Sequence, residues 1–196
     1  MAMNLLAADG TMELYEAVID AFEATRIFDT LLHEIAWRSE SIMMFGKPVM
    51  QPRLTALYGD DGLTYRYSGR TMHPMPWTPS LLALKAVAEA RAETTFSTVL
   101  LNLYRNGSDS MGWHRDNERE LGPAPTIASI SLGMTRLFQC KHRTDPSLRV
   151  SLPLTNGSLL VMKGAMQEHW YHQVPKERRV TEPRINLTFR AIHGIA

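Results

Sequence analysis

Arg184-Ile185-Asn186-Leu187-Thr188-Phe189-Arg190 is the stretch on which the fold and its chemistry turn. Read as a β-strand, its two arginines lie six residues apart and therefore share a face. The apolar residues between them point to burial, and buried guanidinium groups need anionic partners. A dicarboxylate gripped by bidentate contacts meets that need. The plainer alternative is an ordinary strand flanked by surface arginines.

Upstream, short strand-like runs are split by turn residues. Phe96–Tyr104 ends at Asn106-Gly107, and Ser110–His114, Ile127–Leu132, Arg136–Cys140, Arg149–Leu152 and Ser158–Met162 follow before Arg184–Ala191. Strands this short and numerous predict a β-sandwich or jelly roll, not a parallel α/β sheet. Helical spacing appears at Ile27, Leu31 and Ile35, and again at Leu81, Leu84 and Ala88 after Thr78-Pro79, which read as N-cap and first helical residue. The expected class is therefore mainly β with helices (α+β). The helices cluster in the first half and buttress one face of the sandwich. No linker separates two domains: residues 1–196 read as one domain, with 1–90 an N-terminal elaboration and 91–196 the jelly-roll core.

Composition sets the outer bounds. The chain has 196 residues, 44% hydrophobic and 21% charged, which suits a folded domain with a sizeable core. A formal net charge of +1 gives no global pull toward nucleic acid, so any such contact must come from local charge patterning. The single cysteine, Cys140, excludes an internal disulfide and fits a reducing compartment. Residues 1–10 lack the signature of a signal peptide, and no apolar run reaches the roughly 18 to 20 residues of a membrane span. The expectation is a cytoplasmic protein, or a nuclear one in a eukaryote, monomeric and with no membrane partner.

Gly112-Trp113-His114-Arg115-Asp116 contains His-x-Asp. Within a strand, positions i and i+2 point the same way, so His114 and Asp116 offer an imidazole and a carboxylate to one ion. Far downstream, His169-Trp170-Tyr171-His172 supplies a candidate third ligand. Two histidines and a carboxylate with other positions open form the facial triad of non-haem iron(II) oxygenases. The same three ligands also suit a zinc hydrolase, which gives no reason for the paired arginines.

In order along the chain, Asn102-Leu103-Tyr104, His114-Arg115-Asp116, His172 and Arg184–Arg190 resemble the AlkB family of alkylation-repair dioxygenases. Tyr58-Gly59-Asp60, Gly62-Leu63-Thr64-Tyr65 and Arg115–Leu121 carry the same likeness, which covers about Gln51 to Ile192 and looks nearest to the vertebrate DNA-repair members. The resemblance implies a double-stranded β-helix (jelly roll) with an N-terminal helical and hairpin nucleotide-recognition lid. It implies iron(II) on His114, Asp116 and His172, with 2-oxoglutarate and O2 as co-substrates. Arg184, helped by Tyr104, would pair with the distal carboxylate. Arg190 and Asn102 would hold the nearer end, and Asn186 belongs to the same cofactor-binding set.

The activity implied is oxidative demethylation of N-alkylated bases, of the 1-methyladenine and 3-methylcytosine type, releasing succinate, carbon dioxide and formaldehyde. A base modified on its pairing edge must be flipped out of a duplex or presented on a single strand. By family likeness, Tyr65, Tyr67 and Ser68 line the base pocket with Trp113 and Arg53, and Tyr67 is the candidate to stack on the base. Glu118 is the candidate reader of the exocyclic amino group, since a carboxylate accepts from such a donor. Met43-Met44-Phe45-Gly46-Lys47-Pro48 reads as an apolar hairpin tip, with Phe45 matching an intercalating wedge that favours duplex DNA over a single strand or RNA. Arg53, Arg66 and Arg70, Lys141-His142-Arg143, and Lys176 with Arg178 and Arg179 are candidate phosphate contacts around one mouth. The competing readings are the same chemistry on RNA or another substrate, and a jelly-roll nucleic-acid-binding module without catalysis.

Overall fold

A computed structural model of the chain describes residues 3–44, 47–63, 65–67 and 70–193, with side chains described throughout except at 42–44, 47–48, 65–67 and 70–72. The elements run β1 (Thr11–Tyr15), α1 (Ala21–Glu34), β2 (Arg38–Met44), β3 (Lys47–Gly59), β4 (Tyr65–Tyr67), β5 (Arg70–Met72), β6 (Met75–Pro76) and α2 (Pro79–Ala92). They continue with β7 (Thr98–Tyr104), β8 (Met111–His114), a 3-10 turn at Arg119–Leu121, β9 (Ile127–Gly133), β10 (Arg136–His142) and β11 (Arg149–Leu154). The last are β12 (Ser158–Lys163), the single helical turn α3 (Met166–His169), β13 (Trp170–Val174) and β14 (Arg184–Arg190).

Two antiparallel sheets face each other, giving the expected jelly roll. The major sheet has the order β1-β12-β9-β14-β7-β3-β2, with β6 joined in parallel to β3. The minor sheet has the order β11-β10-β13-β8, and β4 with β5 forms a separate ribbon. β1, β2, β3 and β6 thus carry the first 90 residues directly into the major sheet.

Strand alternation divides the major sheet cleanly. From β14, Ile185, Leu187 and Phe189 join Val99, Leu101 and Leu103 of β7 and Ala128, Ile130 and Leu132 of β9 in one apolar layer. That layer is covered by α1 through Ala24, Phe28 and Leu31, and by α2 through Leu81, Leu84 and Ala88. Each such large side chain contributes about 1.5–3 kcal/mol on burial. The opposite face looks into the space between the sheets. There a second apolar cluster, including Phe138, Cys140, Leu152, Leu154, Leu160, Met162 and Trp170, closes one end and leaves the other to polar groups.

The second helix starts at the cap expected from the sequence, and the first at a cap the structure adds. Asp20 accepts from the backbone N–H groups of Phe22 and Glu23 at the head of α1, and Thr78 accepts from Leu81 at the head of α2, with Pro79 as its first residue. β2 and β3 pair antiparallel, with Met44 opposite Lys47. Phe45 itself lies outside the described residues, as does Ser68. The register slips between Ser39 and Ser41 on β2, a bulge that accommodates Pro52 on β3.

Candidate active site

His114 and His172 are brought together by sheet register. They are direct partners across β8 and β13, with ring centroids 4.2 Å apart. Asp116 completes the group, and ligand atoms of all three lie within 4.8 Å of one another. His114 Nδ1 is 2.8 Å from the Gly112 carbonyl, which can only accept, so that nitrogen carries the proton and Nε2 presents its lone pair. Nδ1 of His172 is buried with no hydrogen-bond partner among the described residues, so no protein group competes for it.

The pleat that sets His114 does not set Asp116. β8 ends at His114, and Asp116 lies in the irregular chain beyond it. The expected i, i+2 relation within a strand is thus replaced by ties from other elements. Arg190 Nη2 donates to Asp116 Oδ2 at 2.8 Å, and Gln167 Oε1 accepts from the Asp116 backbone N–H at 3.0 Å.

Electrostatics prepare the group for a cation. Burial alone would raise the Asp116 carboxyl, but Arg190 and the two imidazoles outweigh it and hold it well below the usual carboxylate range. Burial, with His114 and Arg190 beside it, pushes His172 down to about 3 even against the pull of Asp116. Burial likewise lowers His114. Both rings are neutral and Asp116 is charged at physiological pH, the protonation states a divalent ion requires.

β14 supplies the second half of the site, and its two arginines are buried on the inner face as expected. Arg184 Nη2 donates to Ser131 Oγ at 2.8 Å, whereas its buried Nε and Nη1 have no partner among the described residues. Burial pushes the Arg184 guanidinium down to about 10, so it stays charged. A buried cation with two uncommitted donors calls for an anion with two acceptor oxygens. The Tyr104 ring lies between two buried guanidinium groups, 5.3 Å from Arg184 and 5.5 Å from Arg136, of which Arg136 is fully engaged with protein acceptors.

The remaining expected cofactor residues line the same cavity, but their amides are partly committed. Asn102 Oδ1 accepts from Arg53 Nε at 2.6 Å. Asn186 donates to Ser129 Oγ at 2.7 Å and to the Ile130 carbonyl at 3.1 Å, while its Oδ1 accepts from Thr188. Ser129, Ser131, Thr188 and Gln167 were not singled out from the sequence. The two serines and the threonine were legible as inward positions once β9 and β14 had been phased.

The substrate-side expectations divide. Trp113 is not brought into the cavity: it neighbours His114 on β8 and so faces the other way, 39% exposed, with Lys141 Nζ 4.5 Å from its ring centroid. Arg53 is buried in β3 against Asn102. Glu118 is half-buried, two residues beyond Asp116. The backbone of Tyr65 and Tyr67 forms β4, paired with β5, while their side chains lie outside the description. On the outer face of the minor sheet, Lys141, Arg143, Arg149 and Tyr171 line a basic groove of about 240 Å³. Lys176, Arg178 and Arg179 are exposed on the loop after β13.

His169 belongs to a different group. With Asp9 and His142 it forms a second cluster of potential ligands. The Asp145 backbone N–H donates to His142 Nδ1 at 3.1 Å, so Nε2 carries the proton and faces Asp9 Oδ2 at 3.2 Å. This brings an Asp–His pair into close approach at the N-terminal segment. Trp170 Nε1 donating to the Ala8 carbonyl at 3.1 Å adds to it, as does Gly10, where a Cβ would come within 2.7 Å of the Met166 backbone.

A His–Asp–His constellation beside a buried guanidinium with two unpartnered donors, carried on a jelly roll, points to a class of oxygenase. The family described as "2OG-Fe(II) oxygenase superfamily" matches residues 11–190. The chain belongs to this superfamily and, within it, to the AlkB family. It is 44% identical over 184 residues to "Alpha-ketoglutarate-dependent dioxygenase alkB homolog 3" of Bos taurus, covering 89% of this chain and 64% of that protein. It is 41% identical over 197 residues to "DNA oxidative demethylase ALKBH2" of Homo sapiens, covering 95% and 76%. The chain thus spans a little under two thirds of the length of the alkB homolog 3 proteins. A solved structure described as "The structure of OsALKBH1" matches with a TM-score of 0.66 at 17% identity, over 92% of this chain and 96% of that one, a likeness of fold. Iron(II) and 2-oxoglutarate, with O2, are the groups that membership brings, and the donor set fits them. His114, Asp116 and His172 would hold the metal, and Arg184 the distal carboxylate.

Among the described residues, no helix is long and apolar enough to cross a membrane.

Proposed function

We propose that the chain is an iron(II)- and 2-oxoglutarate-dependent dioxygenase that removes alkyl groups from N-alkylated bases, of the 1-methyladenine and 3-methylcytosine type, in DNA. The observation that carries this reading is the placement, in one cavity, of the His114–Asp116–His172 group and the two uncommitted donors of Arg184. The names of the relatives that share the site supply the substrate class. When bound, iron and 2-oxoglutarate would put O2 to use as the oxidant: one oxygen atom ends in succinate as 2-oxoglutarate loses carbon dioxide, and the other hydroxylates the N-alkyl carbon, which then leaves as formaldehyde.

The protein's own part is binding, orientation and exclusion of water. Arg184 and Ser131 fix the far end of the keto-diacid while Tyr104 walls it. Arg190 neutralises and aims Asp116. Leu100, Met111, Phe138 and Leu154 line the rest of the cavity and keep it dry. The target base enters flipped from a duplex or from a single strand, with Tyr65, Tyr67 and Glu118 as its contacts by family likeness. Phe45, between β2 and β3 in sequence, would fill the vacated step, which favours duplex DNA, with a single strand and RNA following. Lys141, Arg143 and Arg149 in the outer groove and the exposed Lys176, Arg178 and Arg179 contact phosphates and make binding salt-sensitive.

The test is anaerobic reconstitution with iron(II), followed by mass spectrometry on a methylated oligonucleotide panel of single- and double-stranded DNA and RNA. Loss of the methyl mass from DNA with equimolar succinate is expected. Turnover of methylated RNA alone would move the substrate assignment. Succinate output unchanged by Asp116→Ala would remove the metal site.

A further inference from the structure

The two iron-ligating segments lie far apart in sequence, and sheet register explains only half of their meeting. His114 and His172 are cross-strand partners, but Asp116 stands beyond the end of β8 with no ladder to hold its backbone. What holds it is α3, the helical turn that runs straight into β13 and so into His172.

We propose that Gln167 on α3 is the positioning residue for the metal-binding carboxylate of Asp116. Gln167 is buried to 2% exposure. Its Oε1 accepts from the Asp116 backbone N–H at 3.0 Å, and its Nε2 rests on the Met162 sulfur at 3.6 Å. The stronger acceptor of the amide is thus turned to Asp116, and the weak sulfur acceptor takes the NH2 side, which fixes the amide's orientation.

A second tie runs parallel to the first. Arg115, between the two ligands, donates from Nη1 to the carbonyls of Gln167 at 3.3 Å and Glu168 at 2.9 Å, and Arg143 also donates to Glu168 at 2.8 Å. The 115–116 segment is therefore tied twice to the same short turn that carries His172 forward, once through the Asp116 backbone and once through the Arg115 side chain. Arg190 grips the carboxylate itself and sets its charge; Gln167 sets where the backbone beneath it stands. The inference rests on the triad being the iron site.

The test uses the full chain stripped of metal and titrated with Mn(II) alone, with free Mn(II) read by electron paramagnetic resonance. Gln167→Met keeps length and packing but removes the acceptor; Gln167→Glu keeps an acceptor oxygen. Gln167→Met is expected to weaken Mn(II) binding on the order of 10- to 100-fold, as loss of outer partners of metal ligands does. At saturating metal it should leave the KM for 2-oxoglutarate unchanged, because Arg184 is untouched. Gln167→Glu should recover most of the affinity. Wild-type Mn(II) binding by Gln167→Met, or equal loss in both variants, would overturn the proposal. If Gln167→Met does not fold, Arg115→Gln replaces it: a weaker loss in the same direction supports the anchoring, and none overturns it. Asp116→Ala is the control, since wild-type binding there would remove the metal site itself and not merely the role of Gln167.

Discussion

Arg53 donates from Nε to Oδ1 of Asn102 at 2.6 Å, and both side chains are buried. A residue expected on the substrate side is thus tied to one expected on the cofactor side. Arg53→Ala would leave the Asn102 oxygen buried without its donor, at a cost of about 1–3 kcal/mol. The KM for 2-oxoglutarate should rise on the order of tenfold along with that for oligonucleotide. Steady-state kinetics with each substrate varied in turn would check this, and an effect confined to the oligonucleotide would show that Asn102 needs no such tie.

Arg184 offers a planar fork with two donors to spare. Arg184→Lys keeps the charge but presents a single point donor in a site shaped for two. Calorimetric titration of the Mn(II)-loaded protein with 2-oxoglutarate should show affinity reduced by roughly 10- to 100-fold, equivalent to about 1.4–2.8 kcal/mol. Mn(II) binding itself should be preserved.

Gly107 lets two loops meet below the cavity. A Cβ there would fall 1.8 Å from the Glu177 carbonyl oxygen. The same loops are pinned by Arg136, which donates to the Glu177 carboxylate and to the carbonyls of Asn106, Asp109 and Pro175. Gly107→Ala should therefore force the loops apart and cost about 1–3 kcal/mol, the range for overpacking. Urea unfolding checks this, with a midpoint shift at unchanged slope as the expected sign.

Asp109 gives a pH signature. Burial would raise its carboxyl, but the hydrogen bonds from the Arg105 side chain and backbone outweigh it and hold the group below its ordinary value. A carboxyl depressed in the folded state contributes stability in full above its unfolded value of about 3.9. That contribution is lost as pH falls through the folded value. Asp109→Asn should lower Tm at neutral pH and flatten its decline below about pH 4. Parallel melting curves for the two proteins would show no difference near pH 7 if the pair contributes nothing.

Much of this was legible in the alternation of short strands. Arg184 and Arg190 could be placed on one face from spacing alone, and so could the apolar Ile185, Leu187 and Phe189 behind them. The cap of α2 follows from Thr78-Pro79 for an equally local reason, whereas the Asp20 cap of α1 was not singled out. Where local rules mislead, a long-range contact has taken over. His-x-Asp looks like two positions on one strand face, yet the strand stops between its members and Gln167, fifty-one residues away, replaces the pleat. Trp113, expected in the base pocket by family likeness, follows strand alternation to the face opposite His114. β13 was hidden because its inward set, Trp170, His172 and Val174, mixes an indole and an imidazole with one aliphatic residue. No spacing rule could have shown that Asn102 and Asn186 would spend their amides on Arg53 and on Ser129.

The amino-terminal segment that clasps Trp170, Met166 and His142 has a practical meaning. Shortening the protein to start at Thr11 would keep every ligand and both guanidinium groups, yet remove the strap behind the turn on which Asp116 leans. Such a preparation is expected to retain less iron on dialysis than the full chain, although the proposed ligands His114, Asp116 and His172 are all present, and metal analysis before and after dialysis checks this. Poor metal retention would then be a symptom of the missing clasp, curable by restoring ten residues.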